Sequence, residues 1–165
     1  MTQIYKNEID ILTYGNLMKV IFLPRIDMRI EIESSAEKIY KVLDDDSLES
    51  LWNITVNEVE EIETDKFFVK TTVGDITSTV TERVENEKLS FTIEGGIFNS
   101  MGYILNQKDD KTEVVGWAEF DNESQRKVLD KAGSMLLESL KSFMEFLEDG
   151  GKPEEYDKKQ VLVSP

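Results

Sequence analysis

The chain contains no cysteine and no histidine. Without cysteine there is no disulfide framework, no thiol nucleophile and no thiolate metal site. Without histidine it also lacks the side chain most used for proton transfer near neutral pH, which is also the commonest transition-metal ligand. Together the two absences exclude Ser-His-Asp and Cys-His catalysis and most zinc chemistry. Any acid–base work falls to Asp, Glu, Lys, Tyr or bound water, and neither a metal nor a cofactor is expected. Basic residues are also scarce: 19 Lys and Arg stand against 34 Asp and Glu, a net charge of -15. Such a chain repels polyanions, so nucleic acid and acidic membrane surfaces are not expected partners. No apolar run approaches the roughly 18 residues a membrane helix needs, and Glu8 and Asp10 spoil the basic start of a secretory leader. The expectation is a soluble, cytoplasmic protein, a monomer or weak homodimer, with no membrane insertion.

What remains fits one domain. A chain of 165 residues buries about 70% of its unfolded surface, enough for one core or a core with a pocket. Residues 1–25 fit the rest least and read as an N-terminal extension or an upstream start, since Met18 and Met28 each precede a plausible strand. Within them "MKVIFL" reads as an added edge strand or as part of a loosely ordered terminus. From Ile26, "IDMRIEIES" alternates Ile26, Met28, Ile30 and Ile32 with charged residues, the pattern of a half-buried strand. Ser34 and Glu37 have capping-box spacing, and Ala36, Ile39, Tyr40 and Leu43 recur at helical intervals. Asp46 and Glu49 repeat the spacing around Leu48, Leu51 and Trp52, giving a second short helix. The intervening "DDD" reads as a solvated turn rather than a cation site, because no further spaced ligands accompany it.

Six runs of strand character follow: 55–62, 66–73, 75–84, 88–94, 101–107 and 112–120. Short breaks rich in turn residues separate them, which favours an antiparallel meander. From Asn122 the period becomes helical, with Leu129, Ala132, Leu136, Leu140, Phe143 and Leu147 on one face and Lys127, Lys131, Glu138, Lys141 and Glu145 on the other. Gly150, Gly151 and Pro153 end this long helix. Residues 150–165 read as a loose polar tail.

Two phrases carry a resemblance. "IEIESSAEKIYKVLDDDSLESLWN" resembles the opening of the helix-grip superfamily, which includes START lipid-transfer domains, the birch-pollen allergen (Bet v 1-like) class and polyketide cyclase-like proteins. "VTERVENEKLSFTIEGG" resembles its middle hairpin, although the turn, usually proline-bearing there, reads "ENEK" here. The resemblance covers about residues 26–149. It implies an α+β fold in which a curved antiparallel sheet of about seven strands wraps the C-terminal helix, with two short helices between the first and second strands. It also implies a ligand cavity between sheet and helix, closed at one end by the helical pair.

Alternation in "DITSTVTERV" turns Ile76, Val80 and Val84 inward and places Ser78 and Glu82 in the same register unless a bulge intervenes. Phe91, Ile93 and Met101 supply further walls. Tyr103 either orients a polar ligand head or is a half-buried sheet tyrosine with its hydroxyl at the rim. Trp52 either gates an entrance or anchors a helix to the sheet. Leu136, Leu140 and Phe143, with Met135, Met144 and Phe146, form either a ligand-facing surface or ordinary core. Val114 and Val115 leave the inward face of the last strand open between Gly116 with Ala118 and Trp117. The function these residues suggest is binding or carriage of a small hydrophobic molecule such as a lipid, isoprenoid, polyketide or aromatic compound. The alternatives are a cyclase- or dehydratase-like enzyme using a pocket carboxylate, and a chaperone-stimulating interaction module working from its outer surface. The lack of catalytic equipment favours the binder.

Overall fold

The computed structural model describes residues 10–14, 17–21 and 23–162. The "MKVIFL" run falls largely in β2 (Leu17–Ile21), which pairs with β1 (Asp10–Tyr14) in a separate two-stranded antiparallel sheet rather than on an edge of the main one. Phe22 lies outside the described residues.

The main sheet begins with β3 (Arg25–Ile32), whose Ile26 and Ile32 are buried as the alternation requires. The chain then forms α1 (Ala36–Leu43) and α2 (Asp46–Trp52). Both helices start from caps displaced by one residue from the expected ones. Ser35 Oγ accepts from the Lys38 amide at 3.3 Å and caps α1. Ser34 is buried and instead donates to Glu148 Oε1 at 2.8 Å, fastening the start of α1 to the end of the last helix. Asp45, not Asp46, caps α2 through the Ser47 amide at 3.0 Å. The "DDD" run is thereby divided: Asp44 closes α1, Asp45 caps α2 and Asp46 opens it.

Six strands follow as a meander: β4 (Val56–Glu63), β5 (Lys66–Thr71), β6 (Gly74–Val84), β7 (Lys88–Glu94), β8 (Ser100–Lys108) and β9 (Lys111–Glu119). The spatial order is β3-β9-β8-β7-β6-β5-β4, antiparallel throughout, so α1 and α2 carry the chain from one edge of the sheet to the other. The turns work because short polar side chains tolerate left-handed backbone: Asp65, Asn86 and Asp109 have φ of 60°, 63° and 57°. Asn86 is the residue that lets "ENEK" turn without proline.

The long helix, α3 (Arg126–Glu148), follows a single 3-10 turn capped by Asn122 and lies on the inner face of β3 and β9. Its contacts settle the register of β9. A Cβ on Gly116 would come within 3.3 Å of Leu137, so Val114, Gly116 and Ala118 face the helix while Trp117 lies outside, with the Arg25 guanidinium 4.5 Å from its ring centroid.

The C-terminal segment corrects the expectation of a loose tail. Two 3-10 turns run to Leu162, and Tyr156 is buried against Phe143 and Phe146 with ring centroids 5.0 and 5.2 Å away. Its hydroxyl donates to Ser142 Oγ at 2.8 Å. The Lys158 ammonium donates to the carbonyls of Ser50, Asn53 and Val56, at and just beyond the C-terminal end of α2. Polar composition hid this docking because only one aromatic ring and one ammonium carry it.

Candidate functional site

The space between sheet and helix is filled unevenly. Beneath the second half of α3, Leu140, Phe143 and Met144 pack with Ile32, Ile39, Trp52, Leu89, Leu105 and Val114 into solid core. Beneath the first half several lining residues are small: Ala132 and Gly133 on α3 and Gly116 and Ala118 on β9. A cavity of about 210 Å³ remains there. Met28 occupies the place of a Gly133 side chain, since a Cβ on that glycine would sit 2.0 Å from the methionine methyl.

Of the residues expected to line such a space, Ile76, Ser78, Val80, Phe91, Ile93, Met101, Tyr103 and Leu136 do so. Four do not. Trp52 is 1% exposed and sits in the solid core as a helix anchor, so it gates nothing. Leu140 and Phe143 are fully buried in the same core, because the hollow lies one to two turns nearer the start of α3. Glu82 is displaced by a bulge. The ladder pairs Val80 with Phe91 but Glu82 with Ser90, so the alternation slips by one residue. Glu82 therefore stands outside, 45% exposed and 2.7 Å from the Lys88 ammonium.

The same slip turns Arg83 inward, where it pairs in register with Leu89. Its guanidinium reaches Asp44 at 2.9 Å and Asp65 at 2.8 Å, spanning the mouth from the end of α1 to the β4–β5 turn. These two carboxylates hold its pKa above the ordinary arginine value, and Arg83 in turn lowers that of Asp65. Asp46 and Glu61 complete the rim.

The inner polar group missed in the sequence is Glu49. Its spacing from Asp46 suggested a capping role, but Asp45 supplies the cap and leaves Glu49 to line the cavity. Burial raises its pKa, with the Asp46 charge adding to the shift and a hydrogen bond from Asn53 Nδ2 at 3.2 Å opposing it. Asn53 is itself fixed, its Oδ1 accepting from the Thr55 amide at 3.0 Å and hydroxyl at 2.7 Å. The carboxylate is thus positioned by a buried amide. Opposite it Tyr103 is 3% exposed. Burial, reinforced by the Glu49 charge, holds its pKa well above the ordinary tyrosine range, so the hydroxyl keeps its proton. Among the described residues that hydroxyl has no hydrogen-bond partner. The cavity thus offers apolar walls, a fixed carboxyl and a free hydroxyl at one end.

A curved antiparallel sheet gripping a long C-terminal helix, with two short helices between its first and second strands, is the helix-grip fold. No protein-family model matches the sequence, and no curated protein matches it. Solved structures do. A START superfamily protein from Mycobacterium smegmatis superposes with a TM-score of 0.67 at 13% identity, over 74% of this chain and 98% of that one. The Aha1 dimer from Colwellia psychrerythraea gives 0.61 at 21% identity, over 72% and 94% of the two chains. Ara h 8.0201 gives 0.60 at 13% identity, over 73% and 97%. At these identities the likeness shows the fold. Among the described residues no helix is long and apolar enough to cross a membrane.

Proposed function

We propose that the protein binds or carries a small hydrophobic molecule in the cavity between the sheet and the first half of α3. The observation that carries this reading is the cavity itself. Much of its wall, including Ile76, Val80, Phe91, Ile93, Met101 and Leu136, is apolar, with polar groups such as Glu49 and Tyr103 set among these residues. An apolar cavity of this size gains dispersion contacts when an apolar ligand fills it. The test is mass spectrometry of the natively purified protein with an organic extract run in parallel. One equivalent of a co-purified lipid or aromatic compound is the expected result. A protein that is empty and also fails to take up neutral hydrophobic dyes would sink the reading.

An acid–base enzyme of cyclase or dehydratase type is the second reading. The approach of Glu49 to Tyr103, two ionisable groups in one pocket, is what favours it. Chromatography with mass detection separates the two: a carrier returns its extracted ligand unchanged after incubation, whereas an enzyme returns a product of different mass or retention.

A further inference from the structure

We infer that the cavity selects an apolar molecule bearing a protonated amine and discriminates against the same body bearing a carboxylate. The inference rests on the cavity reading above and names the chemistry of the ligand's head. Among the described residues five carboxyl groups line the cavity and its mouth, Asp44, Asp46, Glu49, Glu61 and Asp65, against one cation, Arg83. That cation is already held by Asp44 and Asp65. Asp46 and Glu61 have no cationic partner among the described residues, so the approach to the cavity keeps a surplus of negative charge. A chain of net charge -15 deepens the potential that draws cations in.

The inner end supplies recognition as well as charge. Glu49 Oε1 accepts from Asn53, leaving its other carboxylate oxygen for a ligand. Tyr103, more than nine-tenths buried and with its hydroxyl unpartnered among the described residues, lines the same cavity and offers an acceptor lone pair. An ammonium has three donors and no acceptor, so its chemistry matches two acceptor oxygens. A carboxylate would face Glu49 with like charge. A hydroxyl head falls between the two, since it satisfies either oxygen but gains no charge.

The test uses three probes with one bicyclic body: 2-naphthylmethylamine, 2-naphthylmethanol and 2-naphthoic acid, titrated calorimetrically at pH 7.5. The amine is expected to bind about tenfold more tightly than the alcohol, as one charge-assisted hydrogen bond supplies, and the acid to bind most weakly. Glu49→Gln keeps the acceptor for Asn53 but loses the charge, and should remove the amine's advantage over the alcohol. Should that variant fail to fold, the unmodified protein gives the same answer. As pH falls and Glu49 protonates, the amine's advantage should disappear, and rising salt should weaken the amine alone. Glu49 is faced by Asp46 on its own helix, Tyr103 on β8 and the rim set of Asp44, Glu61, Asp65 and Arg83. Glu61→Gln at the exposed rim separates rim from inner end, and should cost the amine less than Glu49→Gln does. Equal binding of amine and alcohol, or an advantage that survives in Glu49→Gln, would overturn the inference while leaving the cavity reading intact. Failure of all three probes to bind would overturn both.

Discussion

The two halves of α3 lie on the same sheet yet meet it differently. The C-terminal half brings Leu140, Phe143, Met144 and Phe146 against strands bearing Ile32, Leu89, Leu105 and Val114, and the buried Tyr156 fills in from the tail. The N-terminal half borders a cavity whose lining includes the small residues Ala132, Gly133, Gly116 and Ala118. The solid end holds the fold together. The hollow end is left to function.

Phe143→Ala should break the contrast most severely. It would open a second void at a fully buried site and cost about 3–5 kcal/mol, measured by denaturant unfolding. Cutting the tail's ammonium anchor comes next. Lys158→Met removes the ammonium's hydrogen bonds to the carbonyls of Ser50, Asn53 and Val56 and should cost about 1–3 kcal/mol, with accelerated hydrogen exchange in α2 and residues 152–162 as the local readout. Ala132→Leu acts on the hollow half. It should leave stability within about 1 kcal/mol because the cavity accepts the added atoms, while uptake of a neutral apolar probe falls at least tenfold.

Smaller still is the pH signature of Glu49. Its folded pKa is raised above the unfolded value, so the native state holds the proton more tightly. Stability should therefore decline as pH rises from the unfolded carboxylate range through the raised value, and Glu49→Gln should remove that slope. Glu82→Gln should do least. The exposed pair with Lys88 is worth no more than about 1 kcal/mol, and probe uptake should not change.

Periodicity revealed most of the architecture because β3, β7, β8, β9, α1 and α3 each bury one side against the core. The alternation of β3, the six later strands and the long apolar stripe of α3 all appear where the pattern put them, with ends differing by a residue or two. The site was less legible, for identifiable reasons. A bulge leaves no mark in an alternating sequence, so one that returns Glu82 to solvent stood only as an alternative, and the inward turn of Arg83 was not read. Glu49 was hidden by a capping spacing that Asp45 satisfies instead. The division of α3 into solid and hollow halves depends on which small residues of β9 face it, and Val114 and Val115, both buried, gave no preference. One signal was present: the small residues Ala132, Gly133, Gly116 and Ala118 all fall where the packing thins.

The most direct measurement is a titration of the protein with 2-naphthylmethanol followed by NMR of methyl and amide groups, repeated on Ala132→Leu. Saturable one-to-one binding should shift Ile76, Met101, Ala132 and Leu136, leave Leu140 and Met144 in place, and vanish in the variant. No saturable binding, or shifts centred on Leu140 and Met144 and unaffected by Ala132→Leu, would show that the hollow half of α3 is not where this protein receives its ligand.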